Sequence, residues 1–493
     1  MIRTHQRIGQ RVMTSLGLLG LLFAPIATST VQRTGTSPIV RVISLTYGLG
    51  PPVLDRLTGH AFFRQVNSRY VHVLDTATGT FLRSIAVGVA REAIRNIIVE
   101  EKLDRVFVLT EPSSGTVPLI AHITALDAQT AQVLFDVPVT VGGDVWGNVV
   151  DPVTHRLFVL GVPDYLDSNI TSNPARDAVR VTILDAITGR VIHTLALRPT
   201  LHWSDSYFRP TPPIVLNTRT NHVFVSLFDR NGVLVLDASS GQYIKTILLP
   251  PLVPGLEVNP HGNSLVTSDY LGRVYAIGER GMFSASTFKT QEPGMLTTLD
   301  ASSGRVLHAV PTGTDTFAII DAPTRRVFAI SDGGDGKSSR ITVLNALSGA
   351  VIGSVPHGTP LDPFEGQSVV DERSGQVIIL TPGHGTLSVL DGTSGHPRYT
   401  IAIGSNPNDL AVDAQRGRVF VVSAGPRDRR NYPKGVGRLS VLDEQTGVVS
   451  KTIVVGRNPI SVTLDEIHAR AFVFSTGTPT VSGDLTVLDT SRL

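Results

Sequence analysis

One short phrase, an apolar residue followed by Leu-Asp and a small polar turn, recurs nine times along this 493-residue chain. Its last two residues are Leu74-Asp75, Leu126-Asp127, Leu184-Asp185, Leu236-Asp237, Leu299-Asp300, Leu344-Asn345, Leu390-Asp391, Leu442-Asp443 and Leu488-Asp489, spaced 45 to 63 residues apart. Self-similarity at such a period signals a repeat architecture: one small unit cannot bury its apolar faces alone and stacks on its neighbours.

Two further phrases accompany each copy. A Val/Phe/Ile run precedes it, as at 106–109, 157–160, 223–226, 327–330, 377–380, 419–422 and 471–474. Before most of these runs stands an Asp or Asn and a turn: Asp55, Asp151, Asn217, Asp321, Asp371, Asp413 and Asp465. A third phrase follows the Leu-Asp turn, as in Thr452-Ile-Val-Val-Gly456. Each unit therefore predicts four short strands, A to D, rich in β-branched residues and bounded by Gly, Asp and Asn. In the C–D turn the Asp side chain accepts from turn amides, and the closing Gly supplies a positive φ. Arg five residues after the A-strand Asp (Asp321/Arg326, Asp413/Arg418, Asp465/Arg470) predicts a salt bridge across the A–B turn, worth ~0–1 kcal/mol if exposed.

The expected fold class is all-β: a single closed β-propeller of four-stranded blades, nine in number. Seven or eight are the alternatives, because the fifth unit is irregular, with two candidate C strands at 274–277 and 295–299. The ninth unit stops after Asp489 without a D strand, while a lone D-like strand stands at 39–45. Pairing of 39–45 with 485–488 would seal the ring without free edges.

The stretch from Arg418 through Gly456 to Pro459 is similar to the YVTN family of β-propeller repeats, and the resemblance covers roughly 39–489. It implies a propeller with a little over forty residues per blade. Two departures stand out: Phe replaces the family's usual Tyr in strand B, and nine units exceed the more familiar seven.

Composition narrows the function classes. The formal net charge of +2 points to no nucleic-acid partner, and the absence of Cys removes disulfides, lipoprotein anchoring, thiolate metal sites and cysteine nucleophiles. Arg3, Arg7 and Arg11 precede an apolar segment, 16–27, and small residues at Ala27-Thr28-Ser29. This pattern predicts a signal peptide over 1–30, or an uncleaved anchor, then a short linker over 31–38 and the propeller over 39–493. The expected location is secreted or cell-envelope, the expected state a monomer, and no cofactor or metal is expected.

Antiparallel alternation puts A–B and C–D turns on one face and B–C and D–A loops on the other. The second face holds the length variation, with B–C loops at 111–121, 162–178, 268–294, 331–340 and 423–437 and D–A loops at 198–213 and 356–366. It is the expected ligand surface. Channel-mouth candidates are Arg91, Glu92, Asp144, Trp146, His202, Trp203, Asp205, Tyr207, Arg209, Asn408, Asp409 and Arg457. Trp, Tyr and Arg dominate binding hot spots. The competing reading is that each Trp plugs the channel or caps a blade.

Arg427, Arg429, Arg430 and Lys434 form a basic loop, taken first as a solvated loop and otherwise as a contact for nucleic acid, acidic glycan or anionic lipid. Ser331 to Ser338 resembles a phosphate loop only superficially, and a hairpin loop is expected there. No esterase elbow, zinc-protease or EF-hand spacing occurs. The expected function is a binding or scaffold module for a protein, glycan or small molecule. The alternatives are a lactonase- or cyclase-like enzyme using Glu92, Asp144, His202 and Asp205, and nucleic-acid binding.

Overall fold

In the computed structural model the described residues are 37–45, 50–65, 67–90, 92–112, 120–141, 144–162, 179–197, 213–227, 231–250, 263–278, 283–284, 289–290, 294–332, 339–357, 367–428, 433–478 and 482–493. The apolar segment at 16–27 lies outside them, as do most of the long loops. Among them no helix is long and apolar enough to cross a membrane.

The chain forms nine four-stranded antiparallel sheets arranged in a ring. Blade 1 runs through Val53–Asp55, His60–Arg64, Tyr70–Asp75 and Thr80–Ala86; blade 2 through Glu92–Glu100, Arg105–Pro112, Ile120–Asp127 and Val133–Thr140. Blade 3 begins with Asp144–Asp151 and Arg156–Val162, blade 4 with Ile214–Asn217, blade 5 with Asn263–Ser268, blade 6 with Thr314–Asp321, blade 7 with Gln367–Asp371, and blade 8 with Pro407–Asp413 and Arg418–Ser423. Strands are hydrogen-bonded in the order A-B-C-D, and A strands of successive blades touch one another, which places A at the axis and D at the rim.

Blade 9 comprises Pro459–Asp465, Arg470–Ser475, Gly483–Asp489 and, as its fourth strand, Ile39–Leu45. The register runs from Ile39 opposite Leu488 to Leu45 opposite Gly483. The first strand thus completes the last blade, as its sequence implies. Blade 5 resolves its ambiguity: Arg273–Gly278 is strand B and Met295–Asp300 is strand C. The expected B–C loop at 268–294 is corrected accordingly. It begins only after Gly278 and carries a two-residue hairpin, Phe283–Ser284 against Lys289–Thr290.

The core lies between blades. Nine clusters of buried apolar side chains each join one blade to the next, and each contains a large residue from the middle of strand B. These are Phe62, Phe107, Phe158, Phe224, Tyr275, Phe328, Ile378, Phe420 and Phe472, all fully or almost fully buried. Burying one such aromatic contributes ~2–3 kcal/mol. The cluster between blades 9 and 1 includes Ile43 of the first strand, so the closing strand is part of the core. Blade 5 keeps a Tyr in place of Phe, and its phenol donates to the Ala346 carbonyl of blade 6 at 2.5 Å.

The turns obey one rule twice per blade. All nine A–B turns are four residues long. At their start Asp55, Asp151, Asn217, Asp321, Asp371, Asp413 and Asp465 are buried and accept from amides two or three residues on. In the C–D turns Asp75, Asp127, Asp185, Asp237, Asp300, Asn345, Asp391 and Asp443, half-buried or exposed, likewise accept from the amide three residues on. Gly closes seven of these with φ between 63° and 77°, while blade 2 forces Ala131 to φ 55°. The expected cross-turn salt bridge forms for Arg418 and Asp413, at 3.0 Å. Arg470 pairs with Asp489 instead, and Arg326 donates to the carbonyls of Thr324, Arg325 and Thr393. The carboxylates are already engaged by their own turns, so Arg470 reaches across to the C-strand Asp489, and Arg326 to carbonyls of its own turn and of the next blade. His60 and His222 share a structural position, each with Nδ1 against a carbonyl of the next blade, Ala128 or Ala301. His155 sits one place earlier, at φ 57°.

Candidate functional site

The loop face surrounds the starts of the A strands. An innermost strand pairs on one edge only, so its other edge presents backbone groups to the axis that need partners. Side chains of the preceding blade supply them. Arg64 Nη1 donates to Ile94 O (2.8 Å) and Asn408 Nδ2 to Pro459 O (2.5 Å). Val145 N donates to Glu111 Oε1 (2.5 Å) and Val462 N to Asp409 Oδ2 (2.9 Å). Asn96 and Asn148 bond side chain to side chain at 2.7 Å.

Five A strands also carry a β-bulge near their start, in blades 2, 3, 6, 8 and 9. In blades 2, 3, 8 and 9 the extra residue falls at the same place, five before the end of the strand: Arg95, Trp146, Asn408 and Ile460. A bulge re-aims one side chain out of the regular alternation. Two of the four, Trp146 and Asn408, are among the residues expected at the mouth.

The other expected residues are distributed as follows. Glu92 opens strand A of blade 2 and is 6% exposed; its Oε2 accepts from Thr110 Oγ1 (2.6 Å) and Val89 N (3.0 Å). His122 lies 3.8 Å from Glu92 and 3.5 Å from Asp136. Asp409 is engaged by the amides of Val462 and Leu410, and burial raises its carboxyl above the usual range. Asp144 begins strand A of blade 3, and Arg457 lies half-buried in the connector before Pro459. Arg91, His202, Trp203, Asp205, Tyr207 and Arg209 lie outside the described residues, as do Arg429 and Arg430 of the basic loop. That loop is pinched by a bridge between Arg427 and Pro433 and a bond from Lys434 N to Pro426 O (2.9 Å). The segment likened to a phosphate loop joins two antiparallel strands, with Asp332 opposite Ser339.

Three residues not anticipated from the sequence hold this region together. Glu111, at the end of strand B of blade 2, is 2% exposed. One of its carboxylate oxygens binds Arg95 Nε at 2.6 Å; the other accepts from the amide just before Trp146. Arg64 reaches the same strand from blade 1. Aligning the A strands on their last residue would have put Arg95 in one column with Trp146 and Asn408; the role of Glu111 had no local signal. In blade 9, Asp484 faces Gly456, and burial raises its carboxyl to about 6 against the bond from Thr486. Among the described residues no group of three or more His, Asp and Glu side chains is placed to hold a metal ion.

Neither a known protein family nor a curated protein matches this chain. Solved structures similar to it include a eukaryotic initiation factor (11% identity, TM-score 0.55, covering 87% of this chain and 94% of that one). The Dos1 propeller is also similar (10% identity, TM-score 0.49, 92% and 94%). So is the quinohemoprotein alcohol dehydrogenase from Comamonas testosteroni (12% identity, TM-score 0.48, 94% and 79%). At that identity the likeness to the initiation factor is one of fold alone; the order of the sheets themselves makes the chain a nine-bladed β-propeller.

Proposed function

We propose that this protein is an exported binding module that takes a protein, glycan or small-molecule ligand at the loop-face end of its channel. The observation that carries this reading is the asymmetry between the two faces. Every A–B turn has four residues, whereas B–C connectors run from four residues (382–385) to sixteen (163–178). Loops on a rigid scaffold are where binding residues concentrate. The N-terminal basic and apolar pattern and the resemblance to YVTN repeats support export to the envelope or beyond.

The test is a thermal-shift screen of the full chain against glycans and small acids, repeated on a variant with 163–178 and 424–436 replaced by four-residue turns. A ligand that stabilises the parent and not the variant is expected. Ligands that stabilise both equally would remove the loop face from the proposal. Export is checked by fusing residues 1–30 to a reporter active only outside the cytoplasm; an inactive fusion would remove that part.

A further inference from the structure

Blades 1, 2 and 3 tie three recognition side chains to one stretch of the loop-face mouth. Arg64 bonds the carbonyl of Ile94, the residue next to Arg95, so two guanidiniums stand on neighbouring backbone. Among the described residues Arg95 is ion-paired with Glu111, through its Nε. Glu92, two residues before Ile94, turns its carboxylate to Thr110 and Val89 instead. Burial, and then the charge of Arg95, hold the Arg64 guanidinium below its ordinary value. Two guanidiniums and two buried carboxylates thus share this place, and the pair with Glu111 engages only Nε of the Arg95 fork.

The arrangement is also pre-shaped. Arg95 keeps 51% of its side chain in solvent while its Nε is fixed, and a guanidinium offers five donors in a planar fork. The same Glu111 holds the amide of Val145, which sets the bulge that turns out Trp146, 36% exposed. One buried carboxylate therefore positions a cationic fork and an aromatic plane on adjacent blades, at little further ordering cost on binding.

We propose that Arg64, Arg95 and Trp146 form a subsite for an acidic sugar, a pyranose ring bearing a carboxylate. The carboxylate is taken by the guanidiniums and the apolar ring face lies on the indole. This rests on the loop-face reading above and assigns it a ligand class. Glu111 is a positioning residue. A free oxyanion would use the arginines alone, whereas the ring requires Trp146.

Titration calorimetry of the full chain with D-glucuronate and a uronate oligosaccharide, against glucose and inorganic phosphate, tests it. Glucuronate is expected to bind at least ~10-fold more tightly than glucose or phosphate. Arg95→Gln and Trp146→Ala should each weaken it by ~10-fold or more, and Glu111→Gln by ~3-fold. Arg95→Lys, which keeps the charge but not the fork, should fall between parent and Arg95→Gln. Melting temperatures of the variants separate lost contacts from lost fold. Equal binding of glucuronate and phosphate, indifferent to Trp146→Ala, would overturn the sugar assignment. Indifference to Arg95→Gln in a folded variant would overturn the subsite. If glucuronate fails while another ligand binds and is lost on loop replacement, only this proposal falls; if nothing binds the loop face, both do.

Discussion

The two faces of the ring are built from the same strands, yet they obey different rules. On the turn face each hairpin is closed by its own residues: an Asp or Asn accepts from amides two and three places on, and a left-handed residue re-enters the next strand. On the loop face the decisive bonds join residues from different blades, such as Asp409 to Val462 and Glu111 to Val145. The turn face repeats one local closure from blade to blade, with inter-blade bonds such as His60 to Ala128 added around it; on the loop face the inter-blade bonds themselves differ from blade to blade. This contrast is the physical reason why one face is uniform and the other free to specialise.

The most drastic way to break the contrast is to remove what holds both faces. Deleting 485–493 strips blade 9 of its third strand and leaves 39–45 without a partner. The melting temperature should fall by more than about 10 °C, or folding should fail; an unchanged melt would refute the closure. Next, Asp321→Ala removes a fully buried carboxylate that accepts from the Thr324 amide and hydroxyl. It should cost ~2–3 kcal/mol. Shortening the loop-face connector 163–178 to four residues should change stability by no more than ~1 kcal/mol. Denaturant melts that reversed this order would invert the assignment of rigid and permissive faces.

A finer comparison uses one carboxyl on each face. Glu444 stands on the turn face where five other blades have Ala, at 128, 186, 238, 301 and 346. Burial, and beyond it the neighbouring Asp371 and Asp443, push its carboxyl up to about 7, with Ser374 donating to it. Asp484 on the loop face is raised to about 6. A folded-state value above the unfolded one means the native protein retains a proton the unfolded chain has lost. Stability therefore declines as pH rises, from about 4.5 to 7 for Glu444 and from about 4 to 6 for Asp484. Glu444→Gln and Asp484→Asn do not titrate. Each should melt close to the parent at pH 4 and a few degrees above it at pH 8. Parallel melting curves across that range would show that the groups carry no such shift. The smallest effect is expected at Ala131, the one C–D turn whose left-handed residue has a side chain: Ala131→Gly should gain up to ~1 kcal/mol. A loss there would mean that its packing between blades 1 and 2 outweighs the backbone relief.

Legibility in the sequence follows the same divide. The nine Leu-Asp phrases, the alternating apolar runs and the missing ninth D strand made blade count and closure readable, because each is a pattern within a few residues of itself. Blade 5 was ambiguous because its A strand, Asn263–Ser268, ends in Ser rather than Asp, which hid the boundary between its A–B turn and strand B. Cross-turn ion pairs read from Asp and Arg spacing were only partly formed, since the turn amides compete for the same carboxylate. At the mouth, residue type alone singled out Trp146, Asn408 and Glu92. It could not distinguish a half-exposed indole from a carboxylate consumed by Thr110, nor find Glu111, whose partners lie 16 and 34 residues away.

Strand alternation and turn hydrogen bonds act over at most a few residues, so the order of letters alone determined that this chain makes four-stranded units and favoured nine of them; the folded ring decided against seven or eight by placing the strands of blade 5. Which side chains of neighbouring blades meet depends on the angle and stagger at which blades pack and on where a bulge inserts its extra residue. Those are properties of nine shared apolar interfaces together, and only the folded ring decided them.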